Sequence, residues 1–133
     1  MAPTEKNKAP DSRLRTILIV NDSAYIRRMI RFSLNPDRFR VIEASNEKDA
    51  LACVATQPAD LLIVDSEFPG MDEFRLVREL RLRPESEYLP IIMLSNELGA
   101  TQRQQARQVG VSAILEKPFL PDQVCGLVEG IFA

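Results

Sequence analysis

The segment Leu61–Asp65, with the sequence LLIVD, constrains the fold of this chain more than any other. Four apolar residues run directly into a single carboxylate, which is typical of a strand buried on both faces of a parallel sheet. Pro69 and Gly70 follow and prevent the strand from continuing. Asp65 is therefore predicted at the carboxyl end of a central strand, the edge at which open α/β sheets bind their ligands.

The rest of the chain repeats one pattern, in which an apolar strand is followed by a helix with short connections. The predicted strands are Thr16–Val20, Phe39–Ile42, Leu61–Asp65, Pro90–Ser95 and Val111–Leu115. Five such alternations indicate an α/β fold with a doubly wound, five-stranded parallel sheet and helices on both faces. The second strand is less uniformly apolar than the others and is expected near an edge.

The helical segments differ in how they begin and in what their faces carry. Three are predicted to begin at capping residues: Ser23 or Asp22, Ser45 or Asn46, and Asp72. The first carries Arg27, Arg28 and Arg31 opposite its apolar stripe, which predicts a solvated face. The fourth, near Leu98–Val109, has few apolar residues and is expected to be held loosely.

Composition narrows the class of protein. The 133 residues are enough for one domain with a real core, and 45% of them are hydrophobic. The net charge of −2 favours neither a nucleic-acid partner nor a membrane partner. No apolar run approaches the roughly 20 residues of a membrane span, and the N-terminus lacks the apolar core of a signal peptide, so a cytoplasmic location is expected.

The absence of histidine from the sequence excludes several chemistries. A Ser–His or Cys–His nucleophile, a His-ligated metal and a phosphohistidine carrier all need an imidazole. Cys53 and Cys125 lie far apart without metal-binding spacing and are predicted to be reduced thiols. Any chemistry must therefore use carboxylates, hydroxyls, lysine and the backbone.

Polar side chains lie at the carboxyl ends of four of the predicted strands: Asn21 and Asp22, then Asp65, Ser95 and Lys117. In a doubly wound sheet these strand ends converge on one crevice. Carboxylates brought together repel each other unless a proton or a cation intervenes, and carboxylates with carbonyls and waters are the ligands that Mg²⁺ prefers. A lysine and a hydroxyl can hold phosphoryl oxygens, so the set predicts an aspartyl-phosphate site with a carboxylate nucleophile.

Each of these residues alone has an ordinary structural explanation. Asp22, Asp65 and Ser95 could cap the helices that follow them, and Lys117 could be exposed to solvent. Their joint occurrence at strand ends favours the functional interpretation.

With these motifs in order, the chain resembles the receiver domain of bacterial two-component response regulators, the CheY-like group. The matching segments are Ile17–Ser23, Asp65 with Phe68–Asp72, Pro90–Ser95 and Lys117–Phe119. The resemblance covers about Arg13 to Phe132 and implies a flavodoxin-like three-layer sandwich with five helices and strand order 2-1-3-4-5. It also implies a cis peptide before Pro118. Residues 1–12 are predicted to form a disordered tail, and residues 13–133 the receiver domain.

The resemblance also implies a role for each site residue. Asp65 would be the phosphoacceptor, receiving phosphate from a histidine kinase or a phosphotransfer protein. Asp22, Asp65 and the backbone carbonyl of Glu67 would hold Mg²⁺. Ser95 would be the hydroxyl that turns toward the phosphoryl group, and Lys117 the lysine that pairs with it.

Four residues depart from the family pattern or add charge to it. Asn21 replaces the first acid of a pair, so we expect weaker Mg²⁺ binding, with Asn21 contacting the metal through water. Ile114 replaces an aromatic residue that often swings inward, which puts that movement in doubt. Glu67 and Glu97 would flank the phosphate and slow phosphorylation or hydrolysis, a hypothesis that dephosphorylation half-lives of Glu67→Asn and Glu97→Ala variants would test.

The resulting prediction is a phosphorylation-controlled switch and not an enzyme that turns over a separate substrate. Its partners would be the kinase and a downstream output protein or domain, with homodimerisation through the fourth helix, fifth strand and fifth helix, and without direct contact to nucleic acid or membrane. The apolar ending Ile131–Ala133 suggests a piece of a larger regulator over a stand-alone protein.

Three alternatives remain at this point. A degenerate receiver would bind partners without being phosphorylated, as Asn21 and Ile114 would allow. A flavodoxin-like FMN protein shares the architecture but needs a different first loop and aromatic residues near the flavin. A haloacid-dehalogenase-like phosphatase also uses an aspartyl phosphate, but its nucleophile ends the first strand, whereas Asp65 ends the third.

Overall fold

The computed structural model describes residues 14–65, 72–96 and 99–133. Three predictions concern residues outside these ranges: the tail formed by residues 1–12, the ligand role of the Glu67 carbonyl, and the effects of Glu67 and Glu97 on phosphorylation. Within the described ranges, no helix is long and apolar enough to cross a membrane.

The five strands are all parallel and form one sheet in the order β2-β1-β3-β4-β5. They are β1 (Arg15–Val20), β2 (Phe39–Ala44), β3 (Leu61–Asp65), β4 (Ile91–Ser95) and β5 (Ala113–Glu116). The predicted doubly wound order is confirmed, and β2 lies at an edge as its less apolar sequence indicated. The central strand, β3, is buried along its whole length.

Five α-helices accompany the sheet in the described part of the chain: α1 (Ala24–Phe32), α2 (Glu47–Thr56), α3 (Glu73–Arg81), α4 (Ala100–Val109) and α5 (Pro121–Ile131). A short 3₁₀ turn, Pro84–Ser86, follows α3. The side chains of Ser23, Asn46 and Asp72 each accept a hydrogen bond from the first turn of their helix. The three predicted helix starts are therefore confirmed, and each cap satisfies a backbone N–H group that the helix leaves unpaired.

Two hydrophobic clusters lie on opposite faces of the sheet, because successive side chains of a strand point in opposite directions. In β3, Leu62 and Val64 belong to the cluster that includes residues of α2 and α3. Leu61 and Ile63 belong to the cluster that includes residues of α1 and α5. Each such side chain contributes roughly 1.5–3 kcal/mol by burial, so β3 holds the Asp65 backbone rigidly between two packed layers.

The fourth helix is anchored mainly at its C-terminal end. Within α4 only Ala106 is buried, which agrees with the sparse apolar pattern of its sequence. At its end Gly110 adopts a φ of +101°, and its carbonyl accepts a 2.7 Å hydrogen bond from Arg81 Nη2. The N–H of Val111 donates to the Ala106 carbonyl at 3.0 Å and closes the helix, which explains why β5 begins at Ala113 and not at the predicted Val111.

Candidate functional site

The centre of the site is the carboxylate of Asp65, which is 1% exposed at the end of β3. Asn21 Nδ2 donates a hydrogen bond to its Oδ2 at 2.7 Å. Lys117 Nζ lies 2.6 Å from Oδ1 and 2.6 Å from Oδ2, so its ammonium group spans both oxygens. The buried negative charge is thus balanced by the positive charge of the part-buried Lys117 and further held by an amide donor, as a charge in this environment requires.

Lys117 reaches the carboxylate because it directly follows β5, which lies two strands from β3. Its backbone N–H donates to the Ser95 carbonyl at 2.7 Å, which extends the β4–β5 pairing by one step. The Lys117–Pro118 peptide is cis, which confirms the prediction. The lysine side chain is only 10% exposed, so the interpretation of Lys117 as a solvent-exposed residue is wrong.

Asn21 is completely buried between Asp65 and the start of α1. Its Oδ1 accepts a 2.6 Å hydrogen bond from the Ser23 N–H, while its backbone N–H donates to the Ala44 carbonyl at 3.1 Å. Its own carbonyl accepts a hydrogen bond from Arg27 Nη1. Every polar group of Asn21 therefore has a partner within the chain.

Ser95 and Asp22 occupy the strand ends on either side. Ser95 is buried at the end of β4 and pairs with Glu116 across the β4–β5 ladder. Asp22 is exposed just after β1, and the cap of α1 is Ser23, so the alternative that Asp22 caps this helix is wrong.

A divalent cation such as Mg²⁺ needs several oxygen ligands close together. In the described ranges, no three His, Cys, Asp or Glu residues stand close enough together to hold a metal ion. Asp22 nevertheless lies just after β1, and Asp65 ends the adjacent parallel strand β3, and carboxylate oxygens suit Mg²⁺. These two side chains fit a magnesium site that takes its remaining ligands from backbone carbonyls and water.

Arg27, Arg31 and Glu43 form an ion-pair cluster behind Asn21 that the sequence analysis did not identify. Glu43 Oε1 lies 2.8 Å from Arg27 Nε, and Glu43 Oε2 lies 2.6 Å from Arg31 Nη2. Burial alone would raise the pKa of Glu43, but the hydrogen bonds and charges of the two arginines outweigh it and hold that pKa below its ordinary value. The prediction of a solvated arginine face is wrong for Arg27, which is 16% exposed.

The signal for this cluster was present but ambiguous. Glu43 is the one acidic residue in β2, and an acid in a strand beside a basic helix can indicate an ion pair. The sequence did not indicate that Arg27 and Glu43 are partners, because they lie 16 residues apart and come together only when β2 pairs with β1.

Ile114 lies in β5 opposite Met93 of β4, where it is half-buried against the cluster that includes residues of α2 and α3. An aliphatic side chain therefore occupies this position of β5, two residues before the strand ends at Glu116.

Comparison with known proteins accounts for this arrangement. A family model described as the response regulator receiver domain matches residues 17–129. The chain belongs to the response regulator receiver family. The predicted family and the predicted CheY-like fold are both confirmed.

Similar proteins in this family include transcriptional regulators and a chemotaxis protein. The phosphate regulon regulator PhoB of Pseudomonas aeruginosa is 32% identical over 117 residues, which are 88% of this chain and 51% of PhoB. The regulator ResD of Bacillus subtilis is 34% identical over 115 residues, which are 86% of this chain and 47% of ResD. The chain thus spans about half the length of these curated relatives.

Solved structures agree with the topology. The chemotaxis response regulator CheY4 of Vibrio cholerae is 29% identical and superposes with a TM-score of 0.81, covering 89% of this chain and 98% of CheY4. A CheY-like receiver domain protein of Methanospirillum hungatei is 25% identical with a TM-score of 0.75, covering 90% of this chain and 91% of that one.

Proposed function

We propose that this chain is a phosphoacceptor receiver domain in which Asp65 takes a phosphoryl group from the phosphohistidine of a histidine kinase or a phosphotransfer protein. The observation that supports the proposal best is the buried Asp65 carboxylate at the end of the central strand, with the Lys117 ammonium 2.6 Å from its oxygens. The receiver domain would comprise residues 13–133 and act in the cytoplasm.

The transfer forms one bond and breaks another. An oxygen of Asp65 attacks phosphorus, a P–O bond forms, and the P–N bond of the donor breaks, with its electron pair and a proton going to the ring nitrogen. Lys117 moves from the carboxylate oxygen that is consumed to a phosphoryl oxygen, where its charge is again paired. The Ser95 hydroxyl, at the end of the neighbouring strand, donates to another phosphoryl oxygen.

Asp22, Asp65 and the backbone carbonyl of Glu67 would hold Mg²⁺, with Asn21 contacting it through water. When bound, the cation supplies positive charge that offsets the charge of the transferred phosphoryl group. Asp22 is already solvent-exposed and can exchange its water for the ion without any movement of the core.

The output of the switch would be a change on the surface formed by α4, β5 and α5. Movement of Ser95 would act on α4, a helix that buries a single residue and can therefore shift between two populations. An ion pair between Arg103 and Glu116 crosses this surface and would rearrange with it. A downstream protein or domain, or a second copy of the chain, would bind there. In this function the chain assists its own phosphorylation and dephosphorylation but turns over no separate substrate.

The test is the intact mass of the protein after incubation with acetyl phosphate and Mg²⁺, with Asp65→Asn as the matched control. We expect one added phosphoryl group in the wild type and none in the variant. If the wild type gains nothing at saturating Mg²⁺, the chain is instead a degenerate receiver that binds partners independently of phosphorylation, a function consistent with the unusual Asn21 and Ile114.

A further inference from the structure

The amide of Asn21 has only one orientation that satisfies its neighbours. Its Nδ2 faces the Asp65 carboxylate at 2.7 Å, and its Oδ1 faces the Ser23 N–H at 2.6 Å. A carboxylate only accepts hydrogen bonds and a backbone N–H only donates, so rotating the amide by half a turn would place acceptor against acceptor and donor against donor. Asn21 is therefore a fixed donor to the phosphoacceptor.

An acid at this position would behave in the opposite way. A carboxylate at position 21 would place a second negative oxygen within hydrogen-bonding distance of Asp65, and like charges that close require a proton or a cation between them. The asparagine removes the repulsion and replaces it with an attraction. The charge of Asp65 is then balanced inside the chain, because Lys117 provides the opposite charge.

Arg27 of α1 holds the backbone of Asn21 through a hydrogen bond to its carbonyl. Its Nη1 donates to the Asn21 carbonyl, and its Nε donates to Glu43 Oε1 at 2.8 Å. Glu43 is held in turn by Arg31, which does not contact Asn21 in the described structure. The Arg27 guanidinium group is thus held by Glu43 of the edge strand β2 and also contacts Asn21, the residue that donates to Asp65.

We propose that Asn21 and Arg27 form a built-in support that holds the Asp65 carboxylate in place without a bound metal ion, with Asn21 as the hydrogen-bond donor and Arg27 as a positioning residue. Calling Asp65 the phosphoacceptor rests on the proposed function, but the support itself does not, because it exists in the unphosphorylated protein. Asn21 is then more than a lost metal ligand. Two acids at these positions would need a metal ion to offset their repulsion, whereas Asn21 holds the Asp65 carboxylate with a hydrogen bond.

The first experiment compares thermal unfolding of the unphosphorylated protein in EDTA and in saturating Mg²⁺. For Asn21→Asp we expect a Tm in EDTA about 5 °C below that of the wild type and a recovery of most of this loss in Mg²⁺. The wild type should gain much less from Mg²⁺. Asn35→Asp is the matched control, since Asn35 is exposed and its Oδ1 accepts a hydrogen bond from the Asp37 N–H, which a carboxylate can also accept. Equal Mg²⁺-dependent gains in wild type and Asn21→Asp would overturn the role of Asn21.

The second experiment follows the Asn21 side-chain amide by ¹H–¹⁵N NMR, with the signal assigned by its absence from Asn21→Asp. Arg27→Gln should shift this signal, whereas Arg31→Gln, which removes the other partner of Glu43, should leave it in place. A purely structural role would lower Tm in both variants and leave the signal unchanged in both, and that result would overturn the role of Arg27.

Arg27→Lys provides a second variant if Arg27→Gln does not fold. An ammonium group lacks the fork of a guanidinium and cannot keep the Glu43 and Asn21 contacts with the same spacing, so the signal should again shift. An unshifted signal in Arg27→Lys would count against the proposal. Neither experiment includes a phosphodonor, so the proposal can fail while Asp65 is still phosphorylated, and it can hold if Asp65 is not.

Discussion

Replacing Lys117 with methionine tests whether the charge pair in the crevice stabilises the fold. The substitution keeps a long apolar stem but leaves the Asp65 carboxylate, 1% exposed, without the ammonium group that spans its oxygens. Removing one partner of a buried ion pair costs about 3–5 kcal/mol. Asn21 still donates to Oδ2 and offsets part of this, so we expect the free energy of unfolding to fall by about 3 kcal/mol.

The assay is urea unfolding followed by far-ultraviolet circular dichroism, since the chain contains no tryptophan. With a denaturant slope of about 2 kcal/mol/M, the expected loss moves the unfolding midpoint by about 1.5 M. Lys48→Met is the matched control, because Lys48 is exposed on α2 and its replacement should change stability by less than about 0.5 kcal/mol.

A double-mutant cycle separates the charge from the stem. In an Asp65→Asn background the partner is a neutral amide, so Lys117→Met should cost less than about 1 kcal/mol, which gives a coupling energy near 2 kcal/mol. An equal cost in both backgrounds would show that Lys117 stabilises the fold only through its apolar stem, and the electrostatic reasoning would be refuted.

Three further predictions concern the scaffold. Gly110→Ala should lower stability by about 1–3 kcal/mol in thermal melts, since φ is +101° and a Cβ would lie 2.8 Å from Arg81 Nε, whereas Gly126→Ala, with open space around its Cβ, should raise it by about 0.5–1 kcal/mol. Asp72→Ala should cost about 1 kcal/mol in urea unfolding through loss of the α3 cap. Glu43→Gln should lower the free energy of unfolding by roughly 1 kcal/mol at pH 7. Because the pKa of Glu43 is lowered in the folded protein, its charge stabilises the fold above its ordinary pKa of 4.5, and this stabilisation is lost as the pH falls through the folded pKa. If the difference in stability between the wild type and Glu43→Gln does not become smaller in acid, this reasoning is contradicted.

Much of the fold could be predicted because its signals are local. The apolar run Leu61–Val64 identified a strand buried on both faces, and the polar residues at the ends of four strands marked the crevice edge before any contact was known. The capping residues Ser23 and Asp72 located helix starts, since a cap depends only on residues within one turn. Strand bounds were less certain, because Val111 is apolar enough for β5 but uses its N–H to close α4.

The residues of the site could be predicted from the sequence, but the hydrogen bonds between them could not. Asp65, Ser95 and Lys117 were identified from their positions alone, whereas nothing in the sequence indicated that the amide of Asn21 donates to Asp65. Arg27 illustrates the reason. Its position on α1 is equally consistent with a solvated face and with an inward contact, and the choice depends on where β2 places Glu43.

For this protein, the sequence by itself determined the order of strands and helices, the crevice edge and the residue types that meet there, because periodicity, capping and strand ends are properties of neighbouring residues. The tertiary structure alone decided which donor faces which oxygen of Asp65, which arginine turns inward to an ion pair, and where α4 is held. These features depend on pairs such as Asn21 and Asp65, which lie 44 residues apart and meet only when β1 and β3 pair.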